Sequence, residues 1–252
     1  GPALWPSSLS HFAEENQEPG GLLGSHIDML HESPLGMGIA HDSENVYWYN
    51  DGYYGELVRY DFQDDHDTGE DDHSDGKVRR YSDISLTRTP GVPGHMEMNH
   101  DNGILYIADT GAGRVIWVNT DGPGVTTNIM GDDTQMEPLA EYSEVTGVEW
   151  GILDSGLYFP SGIALHQGVL FVSQNGNGKI TSYNLDEDGK GITYSRTVST
   201  NAGSIMGLEV GPNGKLWYVD SQNNQVIRID PYEDTDFDEV RDSLDVYPNN
   251  SL

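Results

Sequence analysis

The chain of 252 residues has no cysteine. Disulfides, thiolate zinc sites, c-type haem attachment and cysteine nucleophiles are therefore excluded. Basic residues are scarce: Lys and Arg number 12 against 42 Asp and Glu, a formal net charge of −30. A field of that sign repels nucleic acid and anionic membrane surfaces, and it attracts cations and basic partners. Hydrophobic residues make up only 35%. No apolar run approaches the roughly 20 residues needed to span a bilayer, and no stretch reads as a secretory leader. Equally missing are a Gly-x-Ser-x-Gly elbow, a phosphate loop and a dinucleotide fingerprint. Self-repulsion of this size is best tolerated where counter-ions screen it. An extracellular, cell-surface or periplasmic location is expected, with a protein, peptide or glycan partner, no nucleic acid, no membrane insertion, and membership of a larger assembly left open.

What is abundant is glycine, 31 residues, and tyrosine, 14, a composition that suits short strands joined by tight turns. Four copies of one pattern recur. Their second and third strands are Val46–Tyr49 with Leu57–Tyr60, Ile104–Ile107 with Val115–Val118, Val169–Val172 with Ile180–Tyr183, and Leu216–Val219 with Val226–Ile229. First strands align on Gly38, Met96, Gly162 and Gly207, and fourth strands are placed at Val78–Leu86, Gly124–Ile129, Gly191–Val198 and Ser243–Tyr247. Asp101-Asn102-Gly103 and Pro212-Asn213-Gly214 are hairpin turns, because Asn and Gly accept positive φ. Four-stranded antiparallel units repeating at roughly 40–50 residues are β-propeller blades. The expected fold is all-β, with four blades as the floor and six if the insertions and termini supply degenerate ones. Residues 1–33 read as an irregular segment in which Leu22–Leu30 offers a ring-closing strand. Residues 34–252 form the propeller, with insertions at 61–77 and 131–155.

Pro160-Ser161-Gly162-Ile163-Ala164 and the run from Ile107 to Val115 resemble NHL-repeat propellers, a family that implies this fold and a protein-, RNA- or glycan-binding platform. A local resemblance to the peptidyl-hydroxyglycine α-amidating lyases rests on Asp51-Gly52-Tyr53 and on His95 opening the next blade. It implies Tyr53 as the catalytic residue of a metal-dependent lyase and His95 as a zinc ligand. The chain departs from that pattern at Met206 and Thr110, so further ligands would have to come from His26, His31, His41 or His166.

Two stretches carry candidate chemistry. In His95-Met96-Glu97-Met98-Asn99-His100, strand alternation puts His95 and Glu97 on one face and Met96, Met98 and His100 on the other. The first face suits zinc and the second Cu(I). The blander expectation packs the methionines between blades and leaves His95 on a polar channel. The run 61–76 carries eight carboxylates in sixteen residues, and hard cations want many oxygen ligands. Asp64, Asp65, Asp67, Glu70, Asp71, Asp72 and Asp75 are its candidate calcium ligands, against the simpler reading of a solvated loop. Asp186–Gly189 and Asp234–Glu239 are secondary candidates. Tyr53, Tyr54 and Arg114 are the candidate binding residues, since exposed aromatics stack on sugars and peptides. A calcium-binding recognition module is thus the first expectation and a metal-dependent lyase the second.

Overall fold

The computed structural model describes residues 2–10, 26–66 and 70–229. The proposed strand at Ser243–Tyr247, the acidic run Asp234–Glu239 and the ligand candidate Asp67 lie outside the described residues. A two-stranded antiparallel sheet pairs β1 (Ala3–Leu4) with β2 (Asp28–Met29). Residues 28–29 therefore pair with the start of the chain and with none of the described blade strands; residues 22–25 of the expected ring-closing strand lie outside the described residues.

The first blade comprises β3 (Gly36–Ser43), β4 (Val46–Asp51), β5 (Glu56–Asp61) and β6 (Lys77–Ser85), each antiparallel to the one before. The second begins with β7 (Met96–Asn99), β8 (Ile104–Asp109) and β9 (Arg114–Asn119). Next come β10 (Val125–Asn128), β11 (Glu141–Thr146) and β12 (Trp150–Ser155). The third blade is β13 (Pro160–His166), β14 (Val169–Gln174), β15 (Lys179–Leu185) and β16 (Ile192–Ser199), and the fourth shows β17 (Ile205–Val210), β18 (Leu216–Asp220) and β19 (Gln225–Ile229).

The expected turns form: Gly103 and Gly214 sit at φ +68° and +72°, the left-handed region that glycine enters without a Cβ penalty. One strand assignment is corrected. The segment 124–129 does not complete the second blade; β10 pairs with β11, and β11 runs parallel to β6, extending the first blade to six strands. The outer strand of the second blade is β12, from the far end of the insertion. So the stretch 131–155 is shared between two blades.

Both faces of a central blade strand are covered by neighbouring blades, and all six residues of β8 are buried. Between the first two blades lie Ala40, Trp48, Leu57, Met96, Ile107 and Ile116. Ile104, Tyr106, Ile163, Leu170 and Tyr183 fill the next gap, and Ala164, Ile180, Ile205, Leu208 and Tyr218 the last. The repeated inner-strand glycines are explained by this crowding. A Cβ on Gly38 would lie 2.2 Å from the Gly94 carbonyl oxygen, and one on Gly162 would lie 2.6 Å from the Leu208 nitrogen. Inner strands of adjacent blades approach backbone to backbone, and only glycine leaves room.

Buried aspartates hold the turns after the second strands. Asp51 Oδ1 accepts from Tyr53 N at 2.9 Å, and Asp220 Oδ1 from Gln222 N at 3.1 Å. Asp109 instead ties two blades, accepting from Thr87 N at 2.7 Å and pairing with Arg114 Nε at 2.8 Å.

Candidate functional site

A groove of about 430 Å3 lies between the inner strands and the face of β18 and β19. Blade two supplies His95 and Glu97, blade four supplies Glu209, Trp217, Val219 and Val226, and Ile39 of blade one closes a side. Ile39, Val219 and Val226 are exposed at 51%, 41% and 67%, the last two as a cross-strand pair on the fourth blade.

His95 precedes β7 and is locked by its backbone: its N donates to Ser161 O at 3.0 Å, and its carbonyl accepts from Ala108 N at 2.9 Å. Its ring lies over Gly207, where a Cβ would come within 2.9 Å of Cε1. Burial lowers the imidazole below its ordinary range, keeping it neutral at physiological pH. Glu97 is pushed up to about 7 by burial, with the Glu209 carboxylate adding to the shift. A neutral imidazole and a carboxyl that titrates near neutrality thus share one groove, which can bind a cationic or hydrogen-bond-donating group or exchange a proton with it.

Met96 is 4% exposed and, with Met98, packs into the core between blades one and two. His100 is exposed beyond the strand end, its ring 6.0 Å from that of His41. The methionines thus pack as core, and His100 lies at the exposed strand end. The other histidines do not converge on His95. Among the described residues, the groups of three or more His, Asp or Glu with ligand atoms within 4.8 Å of one another are His26, His66, His73 and His31, His73, Glu137. His26 and His31 thus meet His73 rather than His95.

Tyr53 is 65% exposed at the turn after β4, edge-on to Tyr54 at 4.8 Å, and neither tyrosine lines the groove. Tyr54 lies under the Arg80 guanidinium at 4.6 Å, and Arg80 pairs with the buried Asp51 at 2.9 Å. Arg114 is likewise occupied, bonding Asp109 and, at 2.9 Å, the Ser85 carbonyl. In the acidic insertion, Asp65 accepts from Asn45, Asp75 from Asp64 N, and Asp72 from Ser74. Glu70, Asp71 and Asp72 are exposed, and among the described residues none of these carboxylates gathers into a group of three. Asp186 closes its own turn, accepting from Lys190 N at 3.0 Å.

Two features carry little or no local signal in the sequence. Glu209 and Trp217 face His95 from another blade, and no local signal announces that pairing. The second is the histidine cluster, for which His26-x4-His31 and His66-x6-His73 were a visible signal masked by the surrounding carboxylates.

No family model and no curated protein matches the sequence. Solved structures match the backbone. A streptogramin B lyase superposes on 81% of the chain with a TM-score of 0.50 at 14% identity. A catalytically inactive virginiamycin B lyase from Staphylococcus aureus, solved with quinupristin, covers 80% at 0.50 and 15%. A protein of unknown function from Bacteroides thetaiotaomicron covers 80% at 0.51 and 12%. The chain is a β-propeller. It spans about half the length of those propellers, 54%, 54% and 49% respectively. At these identities the likeness is one of fold, and propellers of one fold serve many functions.

Proposed function

We propose that the chain is an NHL-like recognition propeller that takes a basic, partly apolar peptide or protein segment into the groove between its inner strands and the face of β18 and β19, in an extracellular, cell-surface or periplasmic setting. The observation that carries this reading is the juxtaposition of Glu97 and Glu209 with exposed Ile39, Val219 and Val226 around Trp217. Exposed apolar side chains rimmed by charge mark binding surfaces, and the net charge of −30 favours a cationic partner. A neutral glycan would use the aromatic ring but leave the paired carboxylates uncompensated. The test is titration of Trp217 fluorescence with lysine- and leucine-containing peptides and with neutral oligosaccharides. Peptide affinity is expected to fall at least tenfold in the Glu97→Gln, Glu209→Gln double variant, while oligosaccharides leave the signal unchanged. Equal peptide affinity in that variant refutes the reading.

A lyase is the second reading, favoured by the neutral His95 beside a Glu97 carboxyl poised at about 7. On that reading His95 and Glu97 would carry the proton transfer, and Tyr53, which does not line the groove, would lie outside the reacting centre. Calcium at the acidic insertion is a separate proposal. Asp64, Asp65, Asp71, Asp72 and Asp75 would have to leave their local hydrogen bonds or swing together to supply it, which predicts weak binding at about 10⁻⁴–10⁻³ M.

A further inference from the structure

On the outer side of the first blade, three separate stretches of chain meet. One holds His26 and His31 on either side of β2; the second is the acidic insertion with His66 and His73; the third is the loop between β10 and β11, which supplies Glu137. They are tied by backbone bonds: His66 N donates to Ile27 O at 3.1 Å, and Ala140 N donates to Gly76 O at 3.0 Å. Phe62 and Leu30, both almost fully buried, seal the underside with Leu139. Among the described residues of the insertion, His73 is buried while Asp64, Asp65, Glu70, Asp71 and Asp72 are exposed.

His26 and His73 are 1% and 4% exposed. The ring of His66 stands 4.9 Å from that of His26 and 5.1 Å from that of His73, and the ligand nitrogens of all three lie within 4.8 Å of one another. His73 Nδ1 is 3.0 Å from Glu137 Oε2. A carboxylate can only accept there, so the proton sits on Nδ1 and the Nε2 lone pair is left to face His66 Nε2 at 3.2 Å. Two imidazoles on one tetrahedral zinc, each at about 2.05 Å, have nitrogens roughly 3.3 Å apart. A carboxylate holding the far nitrogen of a ligating histidine is the arrangement that fixes tautomer and ring orientation at metal centres. Glu137 is itself held, accepting from His31 N at 2.7 Å and lying 3.1 Å from His31 Nδ1. Beside the cluster, Asp28 is 1% exposed and its Oδ2 has no hydrogen-bond partner.

We propose that His26, His66 and His73 form a binding site for a late first-row divalent cation, zinc in the first instance, with Glu137 as the positioning residue for His73. Three imidazoles with no thiolate or water-exposed carboxylate in the set select such a cation over calcium or magnesium. The fourth position is open to water or Asp28. Bound there, the ion staples the N-terminal segment, the acidic insertion and the β10–β11 loop to the first blade, a role that disulfides cannot take in a chain without cysteine.

The test uses the full chain, stripped with a chelator and titrated with zinc in competition with a chromophoric chelator. One equivalent per chain is expected, with affinity reduced at least 100-fold in His66→Ala and about 10- to 100-fold in Glu137→Gln, and unchanged in His95→Ala and His100→Ala. Cobalt bound to the unmodified chain should give the visible absorption of a four-coordinate, nitrogen-ligated ion, which keeps the test independent of whether any variant folds. Absence of a stoichiometric zinc equivalent overturns the proposal. So does zinc uptake that survives His66→Ala or disappears in His95→Ala, because either places the ion elsewhere.

Discussion

Replacing Asp51 by alanine should be among the most damaging single changes in the first blade. Asp51 is fully buried and Arg80 is 4% exposed. Arg80 Nη2 donates to Asp51 Oδ2 at 2.9 Å, and Nη1 approaches the same oxygen at 3.4 Å. The other Asp51 oxygen accepts from the backbone of Tyr53 and Tyr54 at 2.9 and 3.4 Å. Removing the carboxylate leaves the guanidinium with the Glu32 carbonyl at 3.5 Å, with Glu56, at 3.1 Å but 29% exposed, and with the Tyr54 ring. Breaking a buried pair by deleting one partner costs about 3–5 kcal/mol, because the surviving charge stays desolvated. For a chain of this length, at about 2–4 °C per kcal/mol, the melting temperature should drop by roughly 6–20 °C. Asp51→Asn keeps the turn acceptor and should cost less. Glu56→Ala, on the wet side of the same arginine, should cost under about 1 kcal/mol. Urea unfolding of the three variants at neutral pH measures the series. If Asp51→Ala proves no worse than Glu56→Ala, the buried pair is not what holds this turn and the reasoning fails.

Gly162→Ala should destabilise by about 1–3 kcal/mol, since its Cβ would sit 2.6 Å from the Leu208 backbone nitrogen and the two blades must part to admit it; a melting curve within 1 °C of the parent would contradict the packing described. Glu97 is pushed up to about 7 from its ordinary 4.5. The folded chain therefore keeps a proton that the unfolded chain releases, so its contribution to stability falls as pH rises from about 4.5 to about 7 and is flat above that. Glu97→Gln should remove this share of the slope, as read by denaturant midpoints at pH 5 and pH 8. Calorimetric titration with calcium should give at most weak binding that fades in salt. A tight site of micromolar affinity would mean that the insertion rearranges around the ion.

Strand positions and hairpins were legible in the chain for physical reasons that are local. Alternation of apolar side chains and glycines at positive φ act over a few residues, so β4, β5, β8, β9, β14, β15, β18 and β19 fall where the repeat puts them. The outer strands were less legible. Segment 124–129 has strand character, yet which sheet it joins depends on β11 finding β6 in parallel, across a separation that no local pattern encodes. The candidate site divides the same way. His95 and Glu97 stood out on one strand face, but their partners Glu209 and Trp217 come from blade four, more than a hundred residues away in the chain.

The sequence by itself determined an all-β repeat, its turn chemistry, the strongly negative field and the absence of any thiol-based site, because each is a property of composition or of neighbours along the chain. Tertiary structure decided what the unusual residues do. It turned Met96 and Met98 into core, committed Arg114 and Tyr54 to ion-pair and ring contacts, and folded an acidic loop so that its His73 is buried. His31 and Glu137, 106 positions apart, are adjacent only because β11 lies beside β6 while the start of the chain crosses the same blade. Contacts of that range are set by how blades pack, and packing depends on every strand at once.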